Sequence, residues 1–266
     1  MNIRIFGHTG TPFLILPTQD SMCDNFENFG MIDTLREPIE QGKIQLFCVD
    51  TVDQETWSNV WGDKGWRAAR QEAYYNYLIE EVLPFIRQEN GTGRLPVAAG
   101  CSLGGLHAAI VFFRRPECFS AMLSLSGVYD AKFFFDGWLD STLYQNSPLD
   151  FLANMPKDHP YINMYNEKRI VLCVGQGRWE EEGRRTTALM RDVFQQKGIH
   201  AWVDFWGYDV DHDWCGRPRS WTSCCSSSTS RTTRQPSSPK PCAGRAAPRS
   251  RRSASGAASC TWSSSA

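Results

Sequence analysis

No stretch of the 266-residue chain approaches the ~20 consecutive apolar residues that cross a bilayer, so no membrane partner is expected. The start, Met1-Asn2-Ile3-Arg4-Ile5-Phe6, holds no apolar run of signal-peptide type, and a cytoplasmic location is the simplest expectation. No C-x-x-C occurs among the ten cysteines, and no phosphate-cradling glycine loop or dinucleotide fingerprint is present. Neither a metal nor a cofactor is therefore expected. Cys23, Cys48, Cys101, Cys118 and Cys173 are scattered, several in apolar strand-like runs, where a thiol behaves as a small hydrophobe.

A second absence divides the chain. Residues 215–266 contain no Asp, Glu, Val, Ile, Leu, Met, Phe or Tyr, but they hold 15 serines, nine Lys plus Arg and five cysteines. All 29 acidic residues lie before that point. A segment so poor in apolar area cannot offset its conformational entropy, and it is expected to be disordered. Three origins compete: a basic tail touching nucleic acid or an anionic surface, a Ser/Arg linker, or translation out of frame. The place of the change favours the last. Globular patterning runs intact through Tyr208-Asp209-Val210-Asp211-His212-Asp213-Trp214, then every core-forming residue type vanishes, where a closing helix would be expected. The expected organisation is a domain over 1–214 and a Ser/Arg/Pro-rich tail over 215–266, with no specific nucleic-acid partner.

What is present in the body is a core. Apolar residues make up 41% of the chain, enough for a sizeable one. Short apolar runs at Ile3–Phe6, Phe13–Leu16, Ile44–Val49, Leu95–Ala99, Ala121–Leu125, Arg169–Val174 and Ala201–Trp206 read as strands. Between them, 31–41, 66–88 and 183–196 read as helices, ended by Gly42, Asn90-Gly91 and Gly198, and 17–28 reads as a polar loop. The alternation predicts an α/β fold with a mostly parallel central sheet and helices on both faces.

Gly100-Cys101-Ser102-Leu103-Gly104 fits G-x-S-x-G between a predicted strand and a helix-like segment, the setting of a nucleophile elbow. A serine on such a tight turn is pushed out of the surface, which makes Ser102 the candidate nucleophile. The pentapeptide also recurs in unrelated turns. Its weight comes from order: Glu180 and His212 follow at the ends of strand-like segments, as an acid and then a histidine must in an α/β-hydrolase.

With these segments placed, residues 3–214 resemble the esterase family of α/β-hydrolases that includes S-formylglutathione hydrolases, feruloyl esterases and mycolyltransferases. The resemblance rests on Gly100-Cys101-Ser102-Leu103-Gly104-Gly105, Gly175-Gln176-Gly177-Arg178-Trp179-Glu180 and Asp209-Val210-Asp211-His212-Asp213-Trp214. It implies a serine esterase acting on a small or aromatic carboxylic ester or thioester through an acyl-enzyme on Ser102. An acyltransferase of the same family and an inactive, truncated hydrolase are the alternatives. Two departures stand out: the acid position carries Glu180 where the family usually has Asp, and the helix that follows the histidine is missing. The oxyanion hole requires two backbone N–H groups, one from Leu103 after the nucleophile. By resemblance the second comes from Gln19, where relatives often carry His-Gly, with Thr18 as the competing donor.

His212 is the expected base, while His8, His107, His159 and His200 read as surface or scaffold histidines. Glu180 would hold the imidazole. Glu180, Glu181 and Glu182 also suit a helix start, and Asp209 and Asp211 are rival acids. Residues 127–166 are dense in aromatics and read either as a cap over the pocket or as core. Glu55, Trp57, Tyr129 and Phe133 are the candidate pocket residues.

Overall fold

Phe13, Leu14, Ile15 and Leu16 are each 1% exposed or less, which is what a continuous apolar run becomes when its strand is covered on both faces. They belong to β2 (Thr11–Leu16) in a computed structural model that describes residues 1–213. All of these residues lie in one compact unit. The expected disorder of 215–266, the change of frame and the 214/215 boundary lie outside the described residues.

β2 sits between β3 (Ile44–Val49) and β4 (Val97–Cys101), parallel to both. The described sheet has seven strands in the order β1-β3-β2-β4-β5-β6-β7, with β1 (Ile3–Phe6), β5 (Ala121–Leu125), β6 (Arg169–Val174) and β7 (Trp202–Phe205) completing it. Only β1 runs antiparallel to its neighbour. The fold is thus the expected mostly parallel α/β architecture.

Successive residues of each strand feed two cores. Leu14, Leu16, Phe47, Ala98, Met122 and Leu172 face one helix layer. It is made by α4 (Lys64–Tyr77), α5 (Leu83–Asn90), α6 (Leu103–Arg114) and α10 (Glu181–Lys197). Phe13, Ile15, Leu46, Cys48, Ala99 and Leu123 belong to the other core. There they join Phe26 of α1 (Asn25–Asn28), Met31 of α2 (Met31–Thr34) and Ile39 of α3 (Arg36–Glu40).

Three expected elements are corrected, each for a physical reason. The loop at 17–28 contains α1. The helix over 31–41 is split at Leu35, because Pro38 has no N–H for the carbonyl of Thr34 and is tolerated only in the first turn of a new helix. The helix over 66–88 is interrupted by a π turn at Leu78–Val82, directly before Pro84, which cannot donate to Glu80.

The β5–β6 crossover holds α7 (Ser141–Gln145), α8 (Pro148–Asn154) and α9 (Pro160–Asn166). Tyr129, Phe135 and Tyr165 are buried in the same core as α6 and α10, and Phe134, Trp138, Phe151 and Tyr161 pack against it. Most of the aromatic density between residues 127 and 166 is therefore structural.

Candidate active site

β4 ends at Cys101 and α6 begins at Leu103, so Ser102 alone makes the turn between them, with φ 56° and ψ −125°. A non-glycine residue there costs on the order of 1–3 kcal/mol and persists only where its surroundings dictate it. The flanking glycines supply that constraint. A Cβ on Gly100 would lie 2.3 Å from the Gly104 carbonyl oxygen, and one on Gly104 would lie 2.2 Å from that of Leu16. Helix α6 can therefore start directly against the ends of β4 and β2, and Ser102 donates its N–H to Leu125 O at 2.8 Å.

The imidazole of His212 stands over this serine, with Nε2 2.8 Å from Ser102 Oγ. Its Nδ1 is 3.1 Å from Glu180 Oε2. Glu180 is the N-cap of α10 and only 1% exposed, whereas Glu181 is exposed and Glu182 pairs with Arg185. The structure thus brings Ser102, Glu180 and His212 into one relay. Asp211 is turned away to Arg178, whose backbone N–H donates to it at 2.7 Å and whose guanidinium donates at 2.8 and 3.0 Å. Those contacts, the backbone N–H first, hold the Asp211 carboxyl below its ordinary range. Asp209 is exposed. The loop carrying His212 is tied to the loop carrying Glu180: Gly177 donates to Val210 O at 2.9 Å and His212 to Arg178 O at 2.9 Å.

Residues 5–212 match the family described as "Putative esterase". The chain belongs to this esterase family. Its fold is shared with solved α/β-hydrolases at low identity. A ferulic acid esterase is 13% identical, with 81% of this chain and 83% of that one covered at a TM-score of 0.61. An S-formylglutathione hydrolase from Agrobacterium tumefaciens is 14% identical, covering 84% and 87% at 0.63. MPT51 from Mycobacterium tuberculosis is 14% identical, covering 85% and 91% at 0.62. No curated protein matches the chain by sequence.

In this esterase the N–H of Leu103, the first residue of α6, has no intrahelical acceptor. The loop after β2 separates the two competing second donors. Thr18 N–H is engaged by Asn25 Oδ1 at 3.3 Å and Asp20 N–H by Asp53 Oδ2 at 3.3 Å. Between them, Gln19 N–H has no acceptor among the described residues, while the Gln19 side chain donates to Ser58 Oγ at 2.7 Å. Asp53 also meets His107 Nε2 at 2.9 Å, both side chains being buried, so His107 serves the scaffold.

Two of the pocket candidates are corrected. Trp57 is 1% exposed, donates Nε1–H to Gln71 and packs edge-on against Phe134, Phe135 and His107. Tyr129 is fully buried with its hydroxyl on Ser124. Neither presents surface to a ligand, because each ring finds its contacts inward. Glu55 is held by Arg70 in a bidentate pair, and Phe133 is 54% exposed. Sequence reasoning missed Ser126, Asp53 and Arg178. The Ser126-Gly127 pair that follows an apolar strand was a local signal for Ser126, and Arg178 stands in the 175–180 segment without a role read from it. Among the described residues no three His, Cys, Asp or Glu side chains are placed to hold a metal ion, and no helix is long and apolar enough to cross a membrane.

Proposed function

We propose that the chain is a serine carboxylesterase with Ser102 as nucleophile, His212 as general base and acid, and Glu180 as the group that orients and stabilises the imidazole. The observation that carries this reading is the Ser102–His212–Glu180 relay, with contacts of 2.8 and 3.1 Å. A serine hydroxyl is a weak nucleophile until a base removes its proton during attack. His212 Nε2 takes that proton as Ser102 Oγ adds to the ester carbonyl. The oxyanion forms between the N–H groups of Leu103 and Gln19. Collapse breaks the bond to the leaving alcohol or thiol, which receives the proton from His212, and leaves an acyl group on Ser102. Water then repeats the sequence with the same base, releasing the carboxylic acid and restoring the serine.

The substrate class is a small or aromatic carboxylic ester or thioester, in keeping with the ester and thioester hydrolases among its structural neighbours. A cytoplasmic setting belongs to this reading, and the free thiols at Cys23, Cys48 and Cys118 suit a reducing compartment. The test is release of p-nitrophenol from p-nitrophenyl acetate and butyrate beside thiol release from a small acyl thioester. Turnover of at least one substrate above the level of Ser102→Ala is expected. Rates equal to those of the variant on every substrate would overturn the proposal.

A further inference from the structure

Two neighbouring strands of this sheet end in the same way. Ser102 follows β4 with φ 56°, and Ser126 follows β5 with φ 53°. Each sends its N–H to a carbonyl at the end of the next strand, Leu125 O for Ser102 at 2.8 Å and Cys173 O for Ser126 at 2.7 Å. The elbow accounts for the left-handed backbone at Ser102. At position 126 glycine would take the same conformation more easily, so what serine adds there is its hydroxyl.

That hydroxyl is spent on Glu180. Ser126 Oγ lies 2.6 Å from Glu180 Oε1, and both residues are buried. A carboxylate can only accept, so Ser126 is the donor. The contact fills the oxygen that His212 does not use, since Nδ1 meets Oε2. No Lys or Arg reaches the Glu180 carboxylate among the described residues, and a buried carboxylate needs donors where it lacks a cation. Gly183 leaves it room: a Cβ there would lie 3.1 Å from Glu180 Oε2.

We propose that Ser126 is a positioning residue of the relay, fixing the plane of the Glu180 carboxylate so that Oε2 faces His212 Nδ1. The inference rests on the serine-esterase reading of Ser102, His212 and Glu180. Ser126 touches no reacting atom and acts only through Glu180. Its removal therefore affects the step in which the imidazolium forms, and leaves substrate binding in place.

The experiment is a double-mutant cycle on the full chain with p-nitrophenyl acetate, using Ser126→Gly, Glu180→Ala and the pair. Ser126→Gly keeps the left-handed turn relaxed; Ser126→Ala, which keeps a side chain, is run beside it, and thermal unfolding confirms that each variant folds. Loss of one hydrogen bond to a charged group predicts a fall in kcat of about 10- to 100-fold for Ser126→Gly, with KM within about twofold. In the Glu180→Ala background the same change should cost less than about twofold, because the group it acts through is gone. An equal loss in both backgrounds, or none in either, overturns the inference while leaving the esterase reading intact. A parent chain with no turnover above Ser102→Ala overturns both.

Discussion

His212 Nε2 lies 2.8 Å from Ser102 Oγ across 110 positions of sequence. Two strand ends create that contact: β4 presents the serine on a forced left-handed turn, and the loop after β7 delivers the imidazole. Each part of the arrangement predicts a distinct consequence of its removal.

Glu180 offers one oxygen to His212 and the other to Ser126. Glu180→Gln keeps the shape but removes the charge and lets an amide face Nδ1. The expected loss in kcat is about 1,000- to 10,000-fold, the scale seen when a triad acid becomes its amide. Glu180→Asp keeps the charge but shortens the reach, so it cannot satisfy both partners and should lose about 10- to 100-fold. Steady-state kinetics on p-nitrophenyl acetate separates the two. Equal rates for Glu180→Gln and the parent would remove Glu180 from the relay.

Arg178 and Asp211 clamp the histidine loop through three hydrogen bonds. Asp211→Asn should lower kcat by about 10- to 100-fold through misplacement of His212, with folding preserved. The Asp211 carboxyl is depressed in the folded state, so its contribution to stability is present above its unfolded value and lost as pH falls through the folded one. The stability difference between the parent and Asp211→Asn should therefore be constant above pH ~5 and shrink below pH ~4, which urea unfolding at several pH values measures. A difference unchanged down to pH ~3 would contradict the clamp.

Gly104 is fixed by space. Its Cβ would meet Leu16 O at 2.2 Å and Pro17 O at 2.5 Å, both backbone atoms that cannot swing aside. Gly104→Ala must push α6 away from the loop holding Gln19, at a cost of about 1–3 kcal/mol in stability. It should also reduce kcat, because the two proposed oxyanion donors, Leu103 and Gln19, separate. A variant with parental Tm and kcat would show that the close approach is not required.

Arg67 is buried, has no carboxylate within salt-bridge distance among the described residues, and spends its guanidinium on three carbonyls, Thr56, Trp57 and Phe134, over the ring of Phe135. Arg67→Ala strands those acceptors and should destabilise the fold by about 2–5 kcal/mol, read by chemical unfolding. A loss under about 0.5 kcal/mol would mean that water replaces the guanidinium there.

How much of this was legible in the sequence follows from distance along the chain. Ser102 and its glycines form a local pattern, and chain order with the family resemblance pointed to Glu180 and His212, but Asp209, Asp211 and the neighbouring glutamates stayed open as acids until Glu180 was seen buried against the imidazole. Pro38 and Pro84, which break the expected helices, were also in plain view. Ser126, Asp53 and Arg178 were not, since their roles depend on strand register and on loops that meet only in the folded sheet. Trp57 and Tyr129 show the opposite limit: an aromatic near the site in sequence is as able to point inward as outward, and composition does not distinguish the two. The resemblance left Thr18 and Gln19 open as oxyanion donors, and the partners of Thr18 and Asp20 favour Gln19.

The most direct test of the relay is covalent trapping of the full chain by a fluorophosphonate, with the labelled residue located by mass spectrometry and the rate compared with His212→Ala. A single adduct on Ser102, formed at least about 1,000-fold faster in the parent than in the variant, is the predicted result, since the serine is nucleophilic only with its base in place. No adduct, an adduct on another serine, or equal rates with and without His212 would contradict it.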